Sequence, residues 1–303
     1  MNSRKEEKTL HWINAAGYQL PLRWYPARQA RANLVLMGAL GMAARYYESL
    51  ARALCAQGFN VVLAEQRGHG DSPLRASRSV DFGFREALDE EIPALMDWLE
   101  ARAPGRPLYL MGHSLGGHYA AMTAGRFPRR VQGVIIAACS SPWPEAFPQP
   151  ERRRIRLLCF LLPVLLRLYG YYPGDRMGFG GREARTLMRD WLVLARENRY
   201  RALGLDEDLE AGIRRYPGHL LSLRMAEDTY APEAAMAAVS DKFAAARVTR
   251  QVLTTEMLGE RADHFRWARA PDAVARAVAS WSAGIEGGDE SPNCVAGKME
   301  KGE

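Results

Sequence analysis

The sequence predicts an α/β fold: a doubly wound, mostly parallel sheet with a helical cap inserted after its sixth strand. Three observations lead there. Short apolar runs alternate with longer segments of helical period along most of the 303 residues, the signature of βα units. The rhythm stops once, between about Trp143 and Pro217, where Pro-rich connection and helical segments replace strand-like runs. It then resumes with two further strands, so the interruption is an insertion into one sheet.

Residues 10–13 and 18–24, separated by Ala15-Ala16-Gly17, read as an opening antiparallel hairpin. Residues 33–37 (NLVLM) are a buried-type strand ending at Gly38, followed by a helix over 46–57 that Gly58 closes in the C′ position. The strand 59–64 (FNVVLA) runs into the Gly-rich loop 67–73. Residues 84–102 are helical, with Leu88, Ile92, Leu95, Met96 and Leu99 on one stripe. A strand at 107–111, a helix at 114–127 and a strand at 131–138 follow. After the insertion come a strand at 220–225, a helix at 233–245 opened by Pro232, a strand at 248–253 and a final helix at 271–283. The expected division is a core of 1–142 and 218–283, a cap of 143–217, and a disordered tail of 284–303, which lacks apolar periodicity.

Composition narrows the class. The chain is 48% apolar, 25% charged and 9% aromatic, with Gly 27 and Pro 17, which excludes collagen-like, coiled-coil and wholly disordered proteins. No uninterrupted apolar stretch reaches the roughly 18 residues of a membrane span. The start, MNSRKEEKTL, lacks the apolar core of a secretory signal. Cys55, Cys139, Cys159 and Cys294 stand far apart, without CxxC or zinc spacing. Scattered thiols imply a reducing compartment, so a cytoplasmic protein is expected. The net charge of +6 is spread over dispersed arginines without an aromatic-interleaved basic surface, so no nucleic-acid partner is expected.

The chemistry sits in Leu108-Tyr109-Leu110-Met111-Gly112-His113-Ser114-Leu115-Gly116-Gly117, a Gly-x-Ser-x-Gly run directly after a strand and opening a helix. Such a serine occupies a sharp, strained strand-to-helix turn that lifts its Oγ above the sheet edge. Glycines two residues either side are needed because a Cβ there would collide with the neighbouring strand or helix. The helix also aims its first N–H groups at developing negative charge.

With these flanks, residues 30–283 resemble the serine-hydrolase branch of the α/β-hydrolase superfamily, especially bacterial members near the serine aminopeptidase and monoglyceride lipase group. The resemblance implies the chain order serine, acid, histidine. Of six histidines, His11 lies in the hairpin, His69 in an early loop, His113 in the elbow and His118 one turn into its helix. His219 precedes its strand, at the wrong end of the sheet. His264 lies after the last strand and before the last helix, where the family places its catalytic base. The acid should follow the strand 220–225. Asp228, in an Asp-x-x-x-Pro pattern ending at Pro232, resembles the family's acid loop. Glu227 is the nearest competitor, and Asp241 should face solvent.

The same resemblance assigns the oxyanion hole to the Leu115 amide and, from the loop 38–42, to Ala39 with Leu40 as runner-up. Many family members carry His-Gly where this chain has Met37-Gly38, which removes a side chain that often braces the loop. The loop 65–72 resembles the family's Arg-Gly-x-Gly-x-Ser turn and reads as structural, with Arg67 tying loops together.

Residues 152–172 are apolar behind a basic start and are broken by Pro163. They read as a lid over a greasy acyl pocket, with transient membrane contact as an addition. Residues 182–201 form a second cap helix, and Trp143, Phe147 and Trp191 read as packing. The expectation is an esterase or lipase-like hydrolase of a small acyl substrate with an apolar acyl group, without cofactor or metal. Thioesterase, amidase or peptidase, and perhydrolase activities are alternatives on the same triad, and a non-catalytic ligand receptor is the alternative of a different class.

Overall fold

A computed structural model describes residues 9–287. Strand β1 (Thr9–Ala15) and strand β2 (Tyr18–Tyr25) form the expected hairpin. Ala16 and Gly17 turn it with φ of 50° and 90°, the left-handed pair that matches strand twist in a two-residue loop. Strands β3 (Ala32–Met37), β4 (Phe59–Ala64), β5 (Leu108–His113) and β6 (Gly133–Ala137) are buried at every residue. Continuous apolar runs are what a parallel sheet covered on both faces requires.

Helix α1 (Glu48–Ala56) and the last helix among the described residues, Pro271–Glu286, cover one face. The other carries helix α2 (Ile92–Arg102), helix α3 (Leu115–Arg126) and the inserted segment. The predicted helix 84–102 is a continuous path with a wide π turn at Ala87–Glu91 ahead of α2, and all five residues of its predicted stripe are buried. Gly58 adopts φ 89° just past α1, as a helix-ending glycine does.

Between β6 and the resumed sheet lie helix α4 (Glu151–Tyr169), strands β7 (Tyr171–Pro173) and β8 (Arg182–Ala184), helix α5 (Arg185–Glu197) and helix α6 (Leu209–Arg215). Two expectations are corrected here. The insertion is mostly helical, but the expectation that it holds no strand fails: β7 and β8 pair antiparallel, and three-residue strands are too short to show a period of two. Pro163 does not break α4, which runs through it. Its missing N–H frees the carbonyl of Cys159, four residues back. Arg196 Nη2 of α5 donates to that carbonyl at 2.9 Å, so the lost helical bond is replaced from the side.

The chain then returns through strand β9 (His219–Met225), helix α7 (Glu233–Ser240), strand β10 (Arg247–Leu253) and helix α8 (Pro271–Glu286). The sheet order is β1-β2-β4-β3-β5-β6-β9-β10, with all pairs from β4 to β10 parallel and the first two antiparallel. This is the α/β-hydrolase fold. α8 extends three residues into the predicted tail and is capped by Gly287; residues 288–303, Cys294 among them, lie outside the described residues.

Side chains fasten the insertion to the core. Asp81 accepts from Arg185 Nη2 (2.9 Å), the Thr186 amide (2.8 Å) and Thr186 Oγ1 (2.9 Å). Asp190 of α5 accepts from the Phe84 and Leu203 amides, both at 2.8 Å. Burial pushes the Asp190 carboxyl up to about 6, although both amides favour its charged form. Phe147 and Trp191 are buried as packing.

Candidate active site

The carboxyl ends of β3, β5, β6 and β9 meet along one rim. Register pairs Met37 with Gly112, His113 with Ala137, and Ala137 with Leu223, so the loops after these strands are neighbours. Ser114 sits at the elbow after β5 with φ 50° and ψ −114°, a conformation costing on the order of 1–3 kcal/mol for a residue with a side chain. Glycine makes the elbow possible. A Cβ on Gly112 would lie 2.0 Å from the Gly116 carbonyl carbon, and one on Gly116 would lie 2.4 Å from the Met37 oxygen. Helix α3 can press this closely on β5 and on the β3 loop only without those side chains. Ser114 is half-buried, and its Oγ bonds to no protein group among the described residues. The Leu115 amide, first in α3, likewise has no protein acceptor.

Asp228 and His264 come together from different strand ends. Asp228 Oδ1 accepts from the Tyr230 and Ala231 amides at 2.8 and 3.0 Å, which aims Oδ2 at His264 Nδ1, 2.8 Å away. The side chain of Asp228 is fully buried and that of His264 nearly so. The two loops are also joined by the Glu227 amide donating to the Ala262 carbonyl at 2.9 Å. Trp267 Nε1 holds the His264 carbonyl at 3.0 Å. The His264 ring centroid lies 4.8 Å from that of His113, the residue before Ser114. Glu227 points elsewhere, to Thr255 Oγ1 and Arg261, and Asp241 pairs with Arg250 in solvent. His219 begins β9, at the opposite rim.

The oxyanion loop is braced by residues the sequence did not flag. The Ala39 amide, the first-choice second donor, is already engaged: it donates to Tyr47 Oη at 3.0 Å. The Leu40 amide has no acceptor among the described residues. Tyr47 Oη also shares a 2.7 Å hydrogen bond with His113 Nδ1, so one hydroxyl joins the loop to the elbow. Gln66 Nε2 donates to the Gly38 carbonyl on the other side. Gly38 leaves room for this arrangement, since a Cβ there would come 2.9 Å from Tyr47 Cε2. Where family members place His-Gly, Tyr47 and Gln66 do the bracing. His113 is fully buried, and burial followed by the neighbouring His264 pushes its pKa well below the ordinary imidazole value. It is therefore neutral near pH 7 and adds no charge beside His264.

The Gly-rich loop is structural, as expected. Arg67 pairs with Glu90 and Glu91 at 2.9 and 2.6 Å and stacks on Tyr18. His69 reaches the insertion: its Nε2 lies 3.0 Å from Glu183 Oε2, while Glu183 Oε1 accepts from the Gly181 amide at 2.6 Å. Burial disfavours the His69 charge, but the bond to Glu183 outweighs it and the pKa is raised. The tip of the β7–β8 hairpin thereby rests on the oxyanion loop, where a Cβ on Gly41 would meet the Gly181 nitrogen at 2.4 Å. Two exposed aromatics, Tyr230 and Phe265, flank His264 with centroids at 5.3 and 4.9 Å. Neither stood out in the sequence, because their loops have no period to place them.

The model of the family described as "Serine aminopeptidase, S33" matches residues 28–181, just over half of the chain. The chain belongs to this family, a serine-hydrolase group of the α/β-hydrolases. Human monoglyceride lipase is 30% identical over 127 residues, 42% of this chain and 41% of that enzyme. The mouse enzyme is 27% identical over 50% of each chain. This chain thus spans half or less of the length of these curated relatives. In structure it is similar to a soluble variant of the Saccharomyces cerevisiae monoglyceride lipase (TM-score 0.67, 14% identity, 94% and 97% of the two chains covered). It is also similar to Est1E from Butyrivibrio proteoclasticus (TM-score 0.62, 15% identity, 92% and 99% covered). The S33 match ends at Gly181, so Asp228 and His264 lie beyond it and rest on their own geometry.

Proposed function

We propose that the protein is a carboxylic ester hydrolase working through an acyl-enzyme. The observation that carries this reading is the Asp228–His264 pair, buried and 2.8 Å apart, packed against the residue preceding an elbow serine in a strained turn. Asp228 holds the imidazole with its proton on Nδ1, leaving Nε2 to act as base. His264 takes the Ser114 proton as Oγ attacks the carbonyl carbon. The tetrahedral oxyanion accepts from the amides of Leu115 and Leu40, both without acceptors among the described residues. His264 then protonates the departing alcohol and afterwards activates water to release the acid.

Tyr230 and Phe265 offer an aromatic wall beside the base, which suits an ester with an apolar acyl group. The inserted segment acts as a cap whose hairpin tip, held by Glu183, closes one side over the oxyanion loop. The matches to monoglyceride lipases support the same substrate class. A fluorophosphonate probe tests the nucleophile: labelling of the wild type and its loss in Ser114→Ala is the expected result. A folded wild type that resists the probe would favour a ligand receptor. A panel of p-nitrophenyl esters graded by acyl length tests the wall, with medium or long acyl groups preferred; a preference for acetate would refute it.

A further inference from the structure

Helix α4 carries its apolar residues on the wrong side. Cys159, Leu162 and Leu166 face the core, yet Leu157 (58% exposed), Phe160 (74%), Val164 (54%) and Leu168 (60%) face water together with Leu161. At about 100° per residue these five fall within an arc of about 100°, one continuous stripe. Tyr169 and Met177 extend it toward the β7–β8 hairpin. Scattered exposed apolar residues need no explanation, whereas a stripe does. Half of the fourteen large exposed apolar side chains among the described residues lie between 157 and 177.

The charges around the stripe identify what covers it. Exposed Arg153 and Arg154 prolong it by a turn toward the amino end, and exposed Arg156 and Arg167 border one side. Residues 144–177 hold six arginines against Glu145, Glu151 and Asp175. Glu145 pairs with Arg152 and Arg156, and Glu151 with Arg154 at 3.8 Å. A second copy docking the same face by two-fold symmetry would set arginine against arginine. An anionic lipid surface meets both features at once: the stripe enters the acyl boundary while the arginines stay among the headgroups.

We propose that α4 docks this protein on anionic bilayers, lying in the plane of the interface. It does not span: no helix among the described residues is long and apolar enough to cross a membrane. The proposal stands apart from the catalytic reading, because binding is measured without turnover and in Ser114→Ala as well.

The experiment is vesicle flotation with phosphatidylcholine alone and with added phosphatidylglycerol, at low and high salt. Wild type should bind the mixed vesicles, more weakly at high salt, and pure phosphatidylcholine poorly. Each arginine near an anionic surface is worth about five-fold in partitioning. Arg153→Gln/Arg154→Gln/Arg167→Gln should therefore lower binding on the order of 100-fold. Phe160→Glu/Val164→Glu should abolish it while leaving the melting temperature and the hydrolysis of a soluble ester unchanged. Trp12→Glu, on an exposed edge strand, should bind as wild type. Equal binding to neutral vesicles, undiminished binding by the Phe160/Val164 variant, or absence of binding overturns the proposal. A wild-type dimer that Phe160→Glu dissociates would also overturn it, assigning the stripe to a second copy.

Discussion

Replacing Tyr47 with phenylalanine removes one oxygen from the centre of the polar scaffold. The ring is fully buried, so phenylalanine keeps its packing. What is lost is the acceptor for the Ala39 amide at 3.0 Å and the partner of His113 Nδ1 at 2.7 Å. Each group is then buried without a partner, at about 1–3 kcal/mol apiece, or about 2–6 kcal/mol together. At roughly 2 °C per kcal/mol for a chain of this size, the melting temperature should fall by about 4–12 °C. The catalytic consequence is separate. The unpinned Ala39 amide turns toward water or the site, and the neighbouring Leu40 amide leaves its aim at the oxyanion. Losing an oxyanion donor outright costs about 10²–10³ in turnover. Gln66 still holds the Gly38 carbonyl, so a loss of about 10- to 100-fold in kcat with KM nearly constant is expected. Steady-state kinetics on a soluble ester, well below the variant's melting temperature, provide the assay. A melting shift with unchanged kcat would make Tyr47 a packing residue and refute the brace.

Three further outcomes are expected. Asp228→Asn should lower kcat by about 10⁴, because an amide stabilises neither the tautomer nor the imidazolium; rates within a few-fold of wild type would remove Asp228 from the mechanism. Glu183→Gln keeps the acceptor for the Gly181 amide but removes the charge facing His69. Because the folded pKa of His69 is raised, the bond's stabilisation is full below the unfolded value of about 6.5 and fades as pH rises through the folded value. Glu65 adds to this shift and Arg75 opposes it. The melting deficit of Glu183→Gln should therefore be larger near pH 6 than near pH 9, and a deficit independent of pH would show that the charge is idle. Arg196→Met strands the Cys159 carbonyl and should destabilise by about 1–3 kcal/mol. Adding Pro163→Ala restores a helical donor and should recover most of it in thermal melts; no recovery would mean Arg196 acts by packing instead.

Much of the molecule was legible because its signals are local. The all-buried strands, the stripe from Leu88 to Leu99 and the glycine closing α1 each declare themselves within a few residues. So does the elbow, whose glycines at 112 and 116 are dictated by contacts that any strand-to-helix turn of this tightness makes. The hairpin β7–β8 and the uninterrupted course of α4 were not legible. The former is shorter than a readable period, and the latter depends on a guanidinium 37 residues away.

The amino-acid order alone determined the strands, the elbow at Ser114 and the loops that hold Asp228 and His264, since strand, turn and helix follow from short-range sterics and apolar spacing. Only the folded chain decided which amides stay free, what braces them and which face of α4 meets water. Those outcomes depend on partners such as Tyr47 and His113, 66 residues apart, and hydrogen bonds over such separations are selected by packing, which no local pattern encodes.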